Sequence, residues 1–260
     1  MQQLVYSGRT DDHRVLVTDE DGLRTLRFGT EERQTSIDLE RPWALQLAYT
    51  QWMVTALLLH PRPEKFLLLG LGGGALPHFL LHHHPEARID AVEKERLVID
   101  LAHHLFRLPR RDGLRIVHQD ALSFLRTDAV TGYHVAFLDI FGPGTMAPPL
   151  FDPELYRLLL ARLHPDGVLA INLWSGDQPL YQTAVRAAGE ACDGRLLQMQ
   201  VKKRSNVILL GFAGEIPHQA IKKAQKRSGE HRQRYGLDFS PFLKRLRRTN
   251  RSSLLERLFG

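Results

Sequence analysis

The sequence predicts an α/β fold built on a parallel sheet with helices on both faces, and three observations carry that prediction. Five short, largely apolar runs, at 66–69, 89–92, 114–117, 135–138 and 168–173, alternate with stretches of helix length. Strands covered on both faces read as continuous apolar runs, and the intervening helices supply the crossovers. The first run ends in Gly70-Leu71-Gly72-Gly73-Gly74-Ala75-Leu76-Pro77, where a chain can turn sharply and bring backbone N–H groups close to a ligand. The next three runs each end close to a carboxylate, at Glu93, Asp120 and Asp139. In a doubly wound sheet a ligand sits at the carboxyl ends of the strands, where the strand order reverses, so these are the residues to interrogate.

Upstream of the sheet, residues 13–28 form two apolar-polar runs around Asp21-Gly22, which predicts a β-hairpin. Residues 43–60 are long and apolar without strict alternation, which predicts a buried helix. Pro77 falls in the first turn of the helix that follows the glycine loop, where proline is tolerated. Residues 196–201 and 206–211 flank Lys202-Lys203-Arg204-Ser205 and predict a closing antiparallel hairpin. Two further helices are expected at about 217–229 and 239–249. The resulting organisation is an N-terminal β-element (1–42), a Rossmann-like domain (43–214) and a basic helical tail (215–260).

Composition narrows the class. Of 260 residues 43% are hydrophobic and 25% charged, as in a globular protein with a substantial core. The richest apolar stretch, Trp52 to Leu59, falls short of the roughly 18–20 residues that span a bilayer. The N-terminus carries no basic segment followed by an apolar one, and the single Cys192 allows no intrachain disulfide; both favour the cytoplasm. The net charge of +6 is uneven, because residues 215–260 hold 12 Lys and Arg against 4 Asp and Glu. A basic tail can touch nucleic acid, but a solvated helical appendage is the simpler expectation. Adjacent histidines at 82–84 and 103–104 do not share a helical face, so no metal is expected and they are taken for solvated helix ends. Cys192 reads as a packed, inert thiol.

The strand-end residues suggest distinct jobs. Glu93 lies 23 residues beyond Gly70, where an acid accepts from both ribose hydroxyls and repels a 2′-phosphate, which argues against NADP. Asp120, followed by Ala121, suits both a helix cap and an acceptor for an adenine amine. Asp139 stands at the central strand end, where a carboxylate would face the transferring carbon. Trp174, after the fifth strand, is expected to line the acceptor side.

Gly70–Ala75, Glu93, Asp120-Ala121, and Asp139 followed by Gly142-Pro143-Gly144 and Leu150-Phe151 resemble the spermidine synthase family. The resemblance runs over roughly 13–212 and includes Gln34, which matches a family glutamine, and the helix at Tyr49. It implies the Rossmann-like fold of class I adenosylmethionine methyltransferases. It also implies a donor of the S-adenosylmethionine or decarboxylated S-adenosylmethionine kind, an amine acceptor and a homodimer. On this pattern Gln34, Gly70, Gly72, Gly74, Glu93, Asp120 and Ala121 hold the donor, Asp139 is catalytic, and Tyr49, Gln51, Ile140, Phe141 and Trp174 shape the substrate pocket. Three acids of the family are missing. The acid within the glycine loop is Gly73, the Tyr-His-Glu motif reads Tyr49-Thr50-Gln51, and the second acid of Asp-x-x-Asp is Gly142. A buried ammonium needs carboxylate partners, so the acceptor is expected to be less cationic than a diamine. A methyltransferase on the same fold, or a non-catalytic scaffold with a polyanion-binding tail, are the alternatives.

Overall fold

The computed structural model describes residues 2–11 and 13–250; the last ten residues of the expected tail lie outside the described residues. The N-terminal element is larger than a hairpin. Four antiparallel strands, β1 (Gln3–Arg9), β2 (Arg14–Glu20), β3 (Leu23–Arg27) and β4 (Arg33–Asp38), pair in sequence order. The predicted hairpin is β2–β3, turning through Asp21 and Gly22, both at positive φ. β1 and β4 escaped prediction because neither alternates cleanly: β4 buries Thr35 and Ser36 where apolar residues would advertise a strand. This sheet lays Val15, Val17, Leu26, Phe28 and Ile37 on Val98, Leu101 and Phe106 of the main domain.

The expected long helix at 43–60 is instead α1 (Ala48–Met53) continued by a 3-10 turn at Val54–Leu58. Its start is set by Leu47, held extended, whose carbonyl accepts the Thr50 hydroxyl at 2.7 Å. Trp43 precedes the helix and stacks flat on His82, ring centroids 4.3 Å apart.

The main domain alternates β5 (Lys65–Leu69), α2 (Ala75–His83), β6 (Arg88–Glu93), α3 (Arg96–His104), β7 (Leu114–His118), α4 (Ala121–Thr127) and β8 (Tyr133–Leu138). A two-strand flap follows, β9 (Phe141–Gly142) with β10 (Thr145–Met146), then α5 (Pro153–Arg162), β11 (Leu163–Trp174), α6 (Gln178–Ala191), β12 (Leu196–Gln200) and β13 (Asn206–Phe212). Seven strands form one sheet in the order β12-β13-β11-β8-β5-β6-β7. The five predicted runs are its parallel strands, and β13 and β12 close it antiparallel as predicted. The order reverses between β5 and β8, which places the switch point beside Gly70 and Asp139.

The tail is not a solvated appendage. It folds into α7 (His218–Lys226), α8 (Ser228–Tyr235) and α9 (Ser240–Thr249). Ile221, Ala224, Tyr235, Phe239, Phe242, Leu243 and Leu246 join the same apolar cluster as Phe66, Leu68, Val135 and Phe137 of the sheet. The cations face outward, so the charge is visible in the sequence while the buried stripe does the packing. The histidine expectation is corrected with it: His84 is buried and meets the Tyr235 hydroxyl at 3.2 Å, His83 is half-buried against the Tyr235 ring, and His103 Nδ1 contacts the Leu108 carbonyl at 2.9 Å. At the sheet edge, the Asn250 side chain accepts from Gln198 N and donates to Gln198 O, both at 2.9 Å. Cys192 is buried, and burial pushes its thiol up to about 11.

Candidate functional site

A cavity of about 210 Å³ opens at the carboxyl ends of β5, β6, β7 and β8, roofed by the N-terminal sheet, α1 and the segment that carries Pro148 and Pro149. Ten of the residues singled out from sequence line it: Gln34, Tyr49, Gly70, Gly72, Glu93, Asp120, Ala121, Asp139, Ile140 and Phe141. Three are not part of the lining. Gly74 caps α2 at φ +82°, the Gln51 amide donates to the Leu45 carbonyl at 2.7 Å, and Trp174 lies against Gly176 with its backbone N–H on the Met146 sulfur at 3.3 Å.

The glycine loop follows β5 so closely that side chains are excluded. Gly70 has φ +97°, and a Cβ there would lie 2.1 Å from the Asp139 carbonyl oxygen. Only glycine lets the tips of β5 and β8 meet this tightly. At Gly72, φ +53°, a Cβ would come within 2.5 Å of Thr35 Oγ1. That hydroxyl accepts the Gly73 N–H at 2.9 Å, so β4 locks the loop from above. The cradle is bare backbone, the form a nucleoside needs for close approach.

Glu93 stands at the tip of β6 and holds the loop from the other side. Its two oxygens accept from Leu71 N at 3.1 Å and Glu95 N at 3.0 Å. Burial raises its pKa, while the N–H groups of Glu95, Leu71 and Gly72 pull it back. Each carboxylate oxygen accepts more than one donor, so capacity for ribose hydroxyls remains. Asp120 caps α4 through Ser123 N at 2.9 Å, as its position before a helix predicts, and its side chain is exposed at the mouth.

Asp139, past the end of β8, is the most perturbed acid of the cavity. Burial pushes its carboxyl up to about 6 against the opposing hydrogen bonds of Asn172 and Tyr49. The Asn172 amide donates to Oδ1 at 2.9 Å, and the Tyr49 hydroxyl, whose single proton has the Gln34 carbonyl at 3.0 Å and the same carboxyl as alternative acceptors, sits beside it. Burial, then the Asp139 charge, drives the Tyr49 phenol well above its ordinary value, so it stays protonated. A carboxyl poised near neutrality, with one oxygen already held, is suited to take a proton from a bound amine.

Sequence reasoning missed His13, Phe28, Thr35 and Ser36 from the N-terminal sheet, together with Lys94, Glu95 and Gln119 beside the strand ends. Lys94, Glu95 and Gln119 were findable as immediate neighbours of Glu93 and Asp120. The others depend on how a separate sheet docks. Among the described residues, no three His, Cys, Asp or Glu side chains converge as a metal site, and no helix is long and apolar enough to cross a membrane.

Fold and site together define a Rossmann-like α/β protein of the class that includes the class I methyltransferases. A human methyltransferase-like protein 13 solved with SAH superposes with a TM-score of 0.56 at 24% identity, covering 76% of this chain and 89% of that one. The spermidine synthase of Thermotoga maritima superposes better, with a TM-score of 0.68 at 21% identity over 86% of this chain and 78% of that one. In sequence, the spermine/spermidine synthase domain matches residues 47–190. A polyamine aminopropyltransferase of Chromobacterium violaceum is 30% identical over 92% of this chain and 91% of its own. The chain belongs to the spermine/spermidine synthase family of transferases.

Proposed function

We propose that the chain transfers an aminopropyl group from a decarboxylated S-adenosylmethionine-type donor to an amine whose charge is lower than that of a diamine. The observation that carries this reading is Asp139, buried beside the bare glycine loop and facing the same cavity as Glu93 and Asp120. The nucleoside lies over Gly70–Gly72, its ribose on Glu93 and its adenine near Asp120. The acceptor nitrogen attacks the methylene next to the sulfonium. A C–N bond forms, the C–S bond breaks with its electron pair passing to sulfur, and the nitrogen's proton goes to Asp139. Positioning supplies most of the rate, since the sulfonium is already a good leaving group.

The acceptor assignment follows from what replaces the missing acids. In the family pattern the loop acid holds the donor's aminopropyl end; at Gly73 a side chain would put its Cβ 2.9 Å from both the Phe106 ring and the Thr35 methyl, so that donor station is closed by apolar atoms. Gln51 turns away to Leu45, and Ile140, Phe141, Pro148 and Pro149 make the rim apolar. Asp139 remains as the base, without the acids that the family pattern places at Gln51 and Gly142 to offset a second ammonium.

Calorimetry with decarboxylated S-adenosylmethionine, thioadenosine and S-adenosylmethionine, followed by mass analysis of products from a series of mono- and diamines, tests the proposal. Tight binding of the decarboxylated donor and alkylation of a monoamine are expected. Binding of none of the three removes the reading. The closed station at Gly73 also fits a donor that keeps its own carboxylate. Preference for S-adenosylmethionine with a methylated product would make the chain a methyltransferase instead.

A further inference from the structure

Three polar side chains line up across neighbouring strands: Asn206 on β13, Asn172 on β11 and Asp139 just past the end of β8. Trp174 of β11 pairs with Asn206 of β13, so Asn172, two residues back, is the diagonal neighbour of Asn206 on the same face. Asn206 Nδ2 donates to Asn172 Oδ1 at 3.0 Å, and Asn172 Nδ2 donates to Asp139 Oδ1 at 2.9 Å. Asn172 is 2% exposed and lies among the apolar residues of β11. An ionised carboxylate only accepts, so the Asn172 amide must turn its nitrogen to Asp139 and its oxygen to Asn206, which must in turn donate. One charge fixes the direction of the whole chain.

We infer that Asn172 and Asn206 are positioning residues, a polarity-fixed amide relay that holds Oδ1 of the Asp139 carboxylate and keeps the anion stable in a buried site. The inference rests on Asp139 acting as the base. The donation from Asn206 polarises the Asn172 amide and strengthens its N–H as a donor. Without Asn206 the buried Asn172 oxygen loses its partner, and a turned amide presents oxygen to Asp139, an arrangement only the protonated acid accepts. The relay therefore biases a two-state amide toward the state that favours the base. The other group in contact with Asp139 is Tyr49 from α1, and Glu93 shares the cavity; neither bonds to the amide pair.

The test reads the Asp139 carboxyl directly, by ¹³C NMR of the ligand-free full chain across pH, with the resonance identified by its absence in Asp139→Asn. Asn206→Ala is expected to move the titration midpoint upward by roughly half to one pH unit, the size of one weakened hydrogen bond to a charge. Asn172→Leu is expected to move it further, and in that background Asn206→Ala is expected to add nothing, because the link is already cut. Asn206→Val, shaped for a strand, repeats the measurement should the alanine variant not fold. An unchanged or lowered midpoint in a folded Asn206 variant overturns the relay. So does an equal shift with and without Asn172. Because no turnover is needed, these results stand apart from failure of the proposed activity, which shows as absent donor binding or absent product in the wild type.

Discussion

Asp139→Asn removes one charge and keeps the shape of the side chain, so it separates what the carboxylate does for chemistry from what it does to stability. The carboxyl moves from 3.8 to about 6 on folding, chiefly because the charged form is desolvated. That is about two pKa units, or about 3 kcal/mol at most in conditions where the acid is ionised. The cavity opens to solvent, so about 1–2 kcal/mol is a fair expectation. The sign follows from the direction of the shift. A raised carboxyl pKa leaves the fold unpenalised below the unfolded value and progressively penalised as pH rises through the folded one. Asn escapes that penalty. The variant is therefore expected to match the wild type at about pH 4 and to exceed it at about pH 8, by roughly 2–6 °C in Tm. Turnover is expected to fall by about 10²–10⁴ as the base is lost. Calorimetric unfolding at the two pH values, alongside product formation, checks both halves. A variant no more stable at pH 8 than at pH 4, relative to wild type, refutes the burial argument, and one that keeps full turnover refutes the base.

Other substitutions probe other parts of the molecule. Glu93→Gln is expected to weaken nucleoside binding by roughly 10–100-fold in titration calorimetry, since a charged acceptor contributes about 1.5–3 kcal/mol to a hydrogen bond. Gly73→Asp would drive a side chain into the Phe106 ring and the Thr35 methyl; a lower Tm without gain of diamine binding is expected, and gain of diamine turnover would show the station to be open. Leu246→Ala is expected to cost about 2–5 kcal/mol in denaturant unfolding, because α9 packs into the main apolar cluster. His60, His83 and His84 are each held down to about 4, with burial the main cause. A histidine with a depressed folded value stabilises the fold above about 6.5 and loses that contribution as pH falls toward 4, so unfolding free energy is expected to drop across that window with net proton uptake.

The parts of this molecule legible in its sequence are those whose signal is local. The parallel strands announce themselves as short, largely apolar runs, and Gly70, Glu93, Asp120 and Asp139 fall within three residues of the ends of the first four, so they could be found by counting. What escaped depends on distant partners. Thr35 and Ser36 carry no apolar signal, and their place becomes evident only when β4 docks over the glycine loop. His84 looks like a solvated helix end because Tyr235, its partner, lies 151 residues away. Asn172 hides inside an apolar run, and its relation to Asn206 exists only through the register of β11 on β13. In the tail, Lys and Arg dominate the composition, although Phe239, Phe242, Leu243 and Leu246 already carry helical spacing. Gln51 and Trp174 were placed at the pocket by position alone, and side-chain direction decided otherwise.

The two hydrogen bonds from Asn250 to Gln198 bear on how copies of this chain can associate. β12 is the last strand on its side of the sheet, and a bare outer strand recruits any extended peptide that drifts past it. Asn250 mimics one rung of such a visitor, offering one donor and one acceptor where a foreign backbone would bind. That rung of the sheet is thereby capped by a side chain, which an incoming strand would first have to displace at Gln198. Asn250→Ala would bare that rung, leaving Gln198 N and O without this partner.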